Sequence, residues 1–208
     1  DDLSNRSYIG YVHKTAKQNF RIKPFYEKRW YSGESYRWSN GVRVEFSRWL
    51  NPNWQISTVG EFAKQRYFDG TAQNGNNKMA SSTLLWARTP KQFFYVGSDF
   101  IVERTQVRQY SSDSKSVRVG WGQEWGWGVS SRMSLSAMKR EYKDIAKLGN
   151  INLFSFGKAR EDKIWGVNLT LWKRDWHLMG ITPKLQFSWH KQDSNIPEMY
   201  SYTQKNVN

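Results

Sequence analysis

Residues 181–192 read ITPKLQFSWHKQ, and in them Ile181, Pro183, Leu185, Phe187 and Trp189 alternate with Thr182, Lys184, Gln186, Ser188 and His190. A period of two puts successive side chains on opposite faces of an extended strand. One face here is apolar and closes on an indole, a ring that sits well at a membrane–water boundary. The other carries an ammonium, an amide and an imidazole, too polar for an ordinary core. The stretch reads as a transmembrane β-strand.

The same alternation recurs along the chain. Phe20, Ile22, Pro24, Tyr26 and Trp30 oppose Arg21, Lys23, Glu27 and Arg29, and Val42, Val44, Phe46 and Leu50 oppose Arg43, Glu45 and Ser47. Trp54, Ile56 and Phe62 oppose Gln55, Ser57, Glu61 and Gln65, whereas Phe94, Val96, Phe100 and Val102 oppose Asp99 and Glu103. Val117, Val119 and Trp121 lie opposite Ser116, Arg118 and Gly120, and Val129, Met133, Leu135 and Ala137 opposite Ser130, Arg132, Ser134 and Arg140. Trp165, Val167, Leu169 and Leu171 complete the series, while Ser7–His13 and Met79–Arg88 are strand-like without a clean choice of face. This makes ten strands. The connections alternate between short (Lys14–Asn19, Asn51–Asn53, Thr89–Gln92, Trp125–Gly128, Lys173–Trp176) and long (Ser32–Ser39, Asp69–Lys78, the stretch after Gln106, Lys143–Lys163), and a polar tail starts at Asp193. That rhythm predicts an all-β, antiparallel up-and-down transmembrane β-barrel with its short turns in the periplasm.

Composition agrees. The 208 residues hold 12 Trp, 11 Tyr and 11 Phe, no Cys and a net charge of +14. Disordered chains lack such rings. No apolar run approaches the roughly 18 residues of a helical span, which excludes a helical membrane protein. A mean hydropathy of −0.81 is compatible with barrel strands, whose polar face offsets the apolar one. Absence of Cys suits the periplasm or cell surface. Basic residues alternate with apolar ones instead of clustering, so nucleic acid is not an expected partner. A soluble β-sandwich or lipocalin-like barrel competes as a reading; strands of about ten residues, the length of a tilted crossing, favour the membrane.

With short turns in the periplasm, ten strands would leave both chain ends outside. Bacterial barrels have an even strand number and place both termini in the periplasm, so at least one strand is expected before Asp1 and one after Asn208. Ser7–His13 and Ile181–Gln192 would then pair with segments outside these 208 residues rather than with each other. No signal peptide stands at Asp1, so the chain reads as mature, internal or trimmed.

Nothing singles out covalent chemistry. His13, His177 and His190 are scattered, without metal-ligand spacing, and Glu27, Glu45, Glu61, Asp99 and Glu103 share their face with Arg and Lys that would pair with them. Residues 120–128 are Gly-rich but lack the ending of a phosphate loop. A non-enzyme without cofactor or metal is expected. The polar face is predicted to line a lumen with Arg21, Glu27, Arg29, Arg43, Glu45, Arg118, Arg132, Arg140, Lys184 and His190. Such a lining would draw anions or an acidic passenger, or would merely pair internally and stiffen the wall.

Three stretches carry a resemblance: PFYEKRW (residues 24–30) with GVRVEFSRWL (41–50), GWGQEW (120–125) with WGVSSR (127–132), and GITPK (180–184) continuing to DSNIP (193–197) with Tyr200-Ser201-Tyr202. They resemble the C-terminal barrel domain of the surface lipoprotein assembly modulators, known as Slam, of Gram-negative bacteria. The resemblance implies a periplasmic helical-repeat domain ahead of a 14-stranded outer-membrane barrel. It also implies delivery of lipoproteins, such as transferrin- and haemoglobin-receptor subunits, to the cell surface. Residues 1–208 would then be a fragment lacking the first strands, the last strand and the helical repeats. The expected partners are a surface lipoprotein client, outer-membrane lipids and a periplasmic chaperone, and the lumen-facing residues would line the client's passage. A passive or anion-selective porin is the alternative, and an outer-membrane hydrolase the third.

Overall fold

Ser32 and Gly33 join two long strands by a two-residue turn. Both have positive φ, 50° and 85°, as the tight hairpin turn matching the natural twist of its strands requires. The expected loop Ser32–Ser39 is therefore largely strand: β3 spans Gln18–Tyr31 and β4 spans Glu34–Trp49. Tyr36 and Trp38 keep the alternation against Ser35, Arg37 and Ser39, but the Ser, Gly and Glu at 32–34 read as the opening of a loop.

The computed structural model describes residues 2–148, 154–176 and 183–207. The remaining strands are β1 Asp2–Tyr8, β2 Tyr11–Lys14, β5 Trp54–Tyr67, β6 Gly75–Thr89, β7 Gln92–Thr105, β8 Ser112–Glu124, β9 Val129–Leu148, β10 Phe154–Lys173, β11 Lys184–Ser194 and β12 Tyr202–Val207, with one short helix, α1, at Pro197–Tyr200. All belong to one antiparallel sheet in which each strand from β3 onward pairs with its neighbours in sequence. β1 and β2 both lie along β3 in one continuous register, Tyr8 opposite Phe25 and Tyr11 opposite Ile22. The gap between them faces Lys23 and Pro24, and Pro24 has no N–H to lend to a ladder.

Three further expectations are corrected. The described part of Lys143–Lys163 is strand and not irregular, since β9 runs to Leu148 and β10 starts at Phe154. The long connections shrink accordingly: residues 68–74 and 106–111 are compact, each with a single helical turn. The loop-length rhythm was an artefact of strands whose ends are polar on both faces. The tail after Asp193 contains α1 and then β12, which pairs with β11 from Phe187↔Val207 to Gln192↔Tyr202. With β12 present the count exceeds ten, and the opening stretch has its partner within these 208 residues, not in the segment outside them that was expected. Ile181 and Thr182 of the opening stretch, and His177, lie outside the described residues.

The sheet does not close: among the described residues β1 and β2 at one edge do not pair with β11 or β12. Its two faces are chemically distinct. Pairing places Val44, Phe46, Ile56, Val96, Val119, Leu135, Val167 and Phe187 on one face, with Trp54 stacked on Trp86 and Trp86 on Phe94 at its turn side. Cations bound this apolar belt in sequence on both sides. Lys28, Lys64, Lys78, Lys115, Lys139, Lys163 and Lys191 stand at its loop side, and Arg48, Arg88 and Lys173 at its turn side. From Lys163 to Lys173 the strand advances roughly 33 Å at about 3.3 Å per residue, and a tilt of about 40° leaves roughly 25 Å of height, that of a barrel's lipid-facing band.

Candidate functional site

The polar face is built by register. Antiparallel pairing sets Arg21 opposite Glu45 and Arg43 opposite Glu61, so residues an even number apart along neighbouring strands form charged ladders. Arg37 contacts Glu27 at 3.2 Å, Glu27 contacts Arg6 at 2.9 Å, and Arg6 reaches Glu61 at 3.2 Å. Glu61 contacts Arg43 at 3.0 Å and Arg43 contacts Glu45 at 2.7 Å, which also takes Lys23 at 2.9 Å and Arg21 at 3.8 Å. One chain of ion pairs thus crosses β1, β3, β4 and β5. The Arg6 guanidinium also covers the ring of Phe25, 4.0 Å from its centroid.

A second group centres on Arg118, which ion-pairs with Asp99 and donates to Ser81 Oγ at 3.1 Å and Thr83 Oγ1 at 2.7 Å. Ser116 Oγ donates to the same carboxylate at 2.7 Å. Arg118 lies along the wall because Gly97 is opposite it, and a Cβ there would meet the guanidinium at 3.0 Å.

The third wall, β9 to β11, differs. Arg132 lies between the rings of Phe93 and Trp172, 5.7 and 5.2 Å from their centroids, and Lys184 is exposed opposite Trp172. Neither has a carboxylate within ion-pair distance among the described residues. Arg140 donates to Ser114 Oγ at 3.1 Å, and His190 faces Gly166 across the ladder. Above them, fully buried Asp162 pairs with Arg160 at 2.7 Å, and the ring of Tyr200 lies 3.7 Å from the Arg160 guanidinium. Asn195 bonds the backbone of Ala159 and Glu161, and Gln192 donates to Tyr200 O at 2.7 Å. These bonds dock the loop carrying α1 back onto the sheet and give the DSNIP motif a structural purpose. Among the described residues no group of three His, Cys, Asp or Glu is placed to hold a metal ion.

All ten predicted lumen residues share the polar face. Arg21, Glu27, Arg29, Arg43 and Glu45 lie together on β3 and β4, Arg118 joins its own cluster, and Arg132, Arg140, Lys184 and His190 line the far wall. Arg6, Arg37, Arg160 and Asp162 were missed, because Arg6 precedes the first stretch that reads as strand and the others fall where the sequence reads as loop. The signal available was residue parity, once the strand is known to extend there.

A sheet with a lipid-high apolar belt on one face and a charged, hydrogen-bonded wall on the other is the wall of a transmembrane β-barrel. The model of the family described as surface lipoprotein assembly modifier matches residues 1–208. This chain belongs to that family. It is 37% identical to surface lipoprotein assembly modifier 1 of Haemophilus influenzae over 215 residues, covering 100% of this chain and 43% of that protein. The corresponding protein of Neisseria meningitidis is 33% identical over 95% of this chain and 39% of its own length. The hemophilin secretion modulator of Acinetobacter baumannii is 22% identical over 95% of this chain. The chain spans about two fifths of the length of these relatives. Among solved structures, the beta domain of the Bordetella autotransporter BrkA aligns at 10% identity and a TM-score of 0.28, over 99% of this chain and 81% of that one.

Proposed function

We propose that this chain forms part of an outer-membrane translocator that delivers lipoproteins to the bacterial surface, without covalent chemistry and without a cofactor. The match of the surface lipoprotein assembly modifier family along the whole chain carries this reading. The polar face is then the lumen wall, and it divides the labour. The β1–β5 part neutralises its own charge through the ion-pair chain and acts as scaffold. The β9–β11 part offers Arg132 and Lys184, which have no carboxylate partner among the described residues, and these meet the passenger, whose own acidic segments they attract. The client is a lipoprotein of the transferrin- or haemoglobin-receptor type, received from the periplasm with or without a chaperone.

The test is a surface-display assay with a candidate lipoprotein and the full-length parent. Reversing Arg132, Arg140 and Lys184 together to Glu should lower display severalfold while the amount of folded barrel changes little. If display and folded barrel fall in proportion, the charges are structural. Steady single-channel conductance in the absence of any client would favour a porin instead.

A further inference from the structure

At the loop-side edge of the apolar belt, Lys115, Lys139 and Lys163 lie in direct register across β8, β9 and β10. Like charges placed opposite one another on adjacent strands destabilise a sheet, so a row of three calls for an anion. The protein supplies one only in part. Lys139 reaches Glu141 at 2.5 Å and Glu161 at 3.5 Å, whereas Lys115 and Lys163 have no ion pair among the described residues. The neighbouring carboxylates are otherwise engaged: Asp113 holds Arg104 at 2.6 Å and Lys143 at 2.5 Å, and Asp193 holds Lys191 at 3.0 Å. Asp113, Glu141 and Glu161 form the next row outward from the belt and would repel an anion that rose above the lysines.

Below the row, a groove of about 450 Å³ is lined by the three lysines with Val117, Ala137 and Trp165. A second groove of about 280 Å³ shares Val117, Ala137 and Trp165 and continues down the apolar face past Val119, Leu135 and Trp189. Cations at the top and an unbroken apolar channel beneath match an amphiphile with an anionic head. We infer that this face binds a lipid whose head carries phosphate, with the phosphate on the lysine row and an acyl chain in the groove over Trp165. A free phosphate would use only the top of this surface, and a neutral lipid only the bottom. The inference rests on the sheet lying in a membrane, as proposed above, but not on which end faces outward, and its test reads binding rather than transport.

The full-length parent, purified in mild detergent, is titrated with diphosphoryl lipid A and with its dephosphorylated form, and retained lipid is counted by native mass spectrometry. The triple variant Lys115→Gln, Lys139→Gln, Lys163→Gln is compared with Lys64→Gln, Lys78→Gln, which removes cations from the same edge of the belt elsewhere. Binding of the phosphorylated lipid should weaken roughly a hundredfold in the triple variant, at about tenfold or less per lysine, and stay near the unaltered value in the control. The unaltered protein should prefer the phosphorylated lipid by a similar factor, a comparison that does not depend on how the variant folds. Equal binding of the two lipids, undiminished binding by the triple variant, or displacement of the lipid by inorganic phosphate alone would overturn the inference.

Discussion

The ring of Tyr95 on β7 lies over Gly120 on β8, its partner in the ladder, so closely that a Cβ on Gly120 would stand 2.2 Å from the ring carbons. Gly122 receives Phe93 in the same way, at 2.3 Å. Large side chains on the polar face are thereby laid along the wall instead of projecting from it, and the alternating glycines of β8 are the space they occupy. Gly120→Val should force Tyr95 off the wall and cost about 1–3 kcal/mol. Adding Tyr95→Ala should recover much of that loss. The check is a double-mutant cycle on urea unfolding from liposomes, and additive losses would show that the two positions do not compete for the same space.

The two faces should answer differently to charge. Leu185, exposed on the apolar face, and Leu169, opposite Phe187 there, should each cost about 2–4 kcal/mol when replaced by Arg near the midplane. Arg at Thr170 or Gln186, partners on the polar face, should be far less damaging. Folding yields into liposomes decide this, and equal damage on both faces would contradict the assignment.

Glu61 joins Arg6 of β1 to Arg43 of β4 in the ion-pair chain. Arg6 and Arg43 each keep a second carboxylate, Glu27 at 2.9 Å and Glu45 at 2.7 Å. Among the described residues, however, β1 is an edge strand paired to β3 alone whereas β4 is paired on both sides, so replacing Glu61 with Gln should loosen β1 more than β4. The expected loss is on the order of 1 kcal/mol for partly solvated pairs. It should be read as faster proteolysis or hydrogen exchange in residues 2–8, and unchanged protection there would refute the coupling.

Beyond the belt, the Arg104 guanidinium and then the Lys143 ammonium hold the Asp113 carboxyl below the usual carboxylate range. A carboxyl whose folded-state value is depressed adds stability at neutral pH, and loses it as the pH falls through that lowered value. Asp113→Asn should therefore destabilise by up to about 1 kcal/mol at neutral pH. It should match the unaltered protein in acid well below pH ~4, the unfolded carboxyl's own range. A variant penalty that persists unchanged into acid would exclude the ion-pair explanation.

Where one side of a strand meets hydrocarbon and the other meets polar groups, period two survives and the sequence can be read directly, as in 42–46, 165–171 and 185–189. Beyond the belt both faces carry polar groups, so Tyr142 to Leu148 and Phe154 to Lys163 lose their alternation although hydrogen bonding continues. The same reason hid β12, whose residues are exposed on both faces. Candidate residues could be assigned to a face but not to a partner. Parity tells that Arg132 and Glu45 share a face, but only register shows that Glu45 is saturated by Lys23 and Arg43 while Arg132 rests between two rings.

From β3 to β12 every ladder is formed between strands adjacent in the chain, by connections as brief as Ser32-Gly33. Such a sheet behaves as a linear array of hairpins, in which loop closure is cheap and each unit's stability depends chiefly on the strands near it. Assembly can therefore advance one hairpin at a time. An injury to the β6–β7 hairpin should leave β10–β11 in register, and losses from two such sites should simply add.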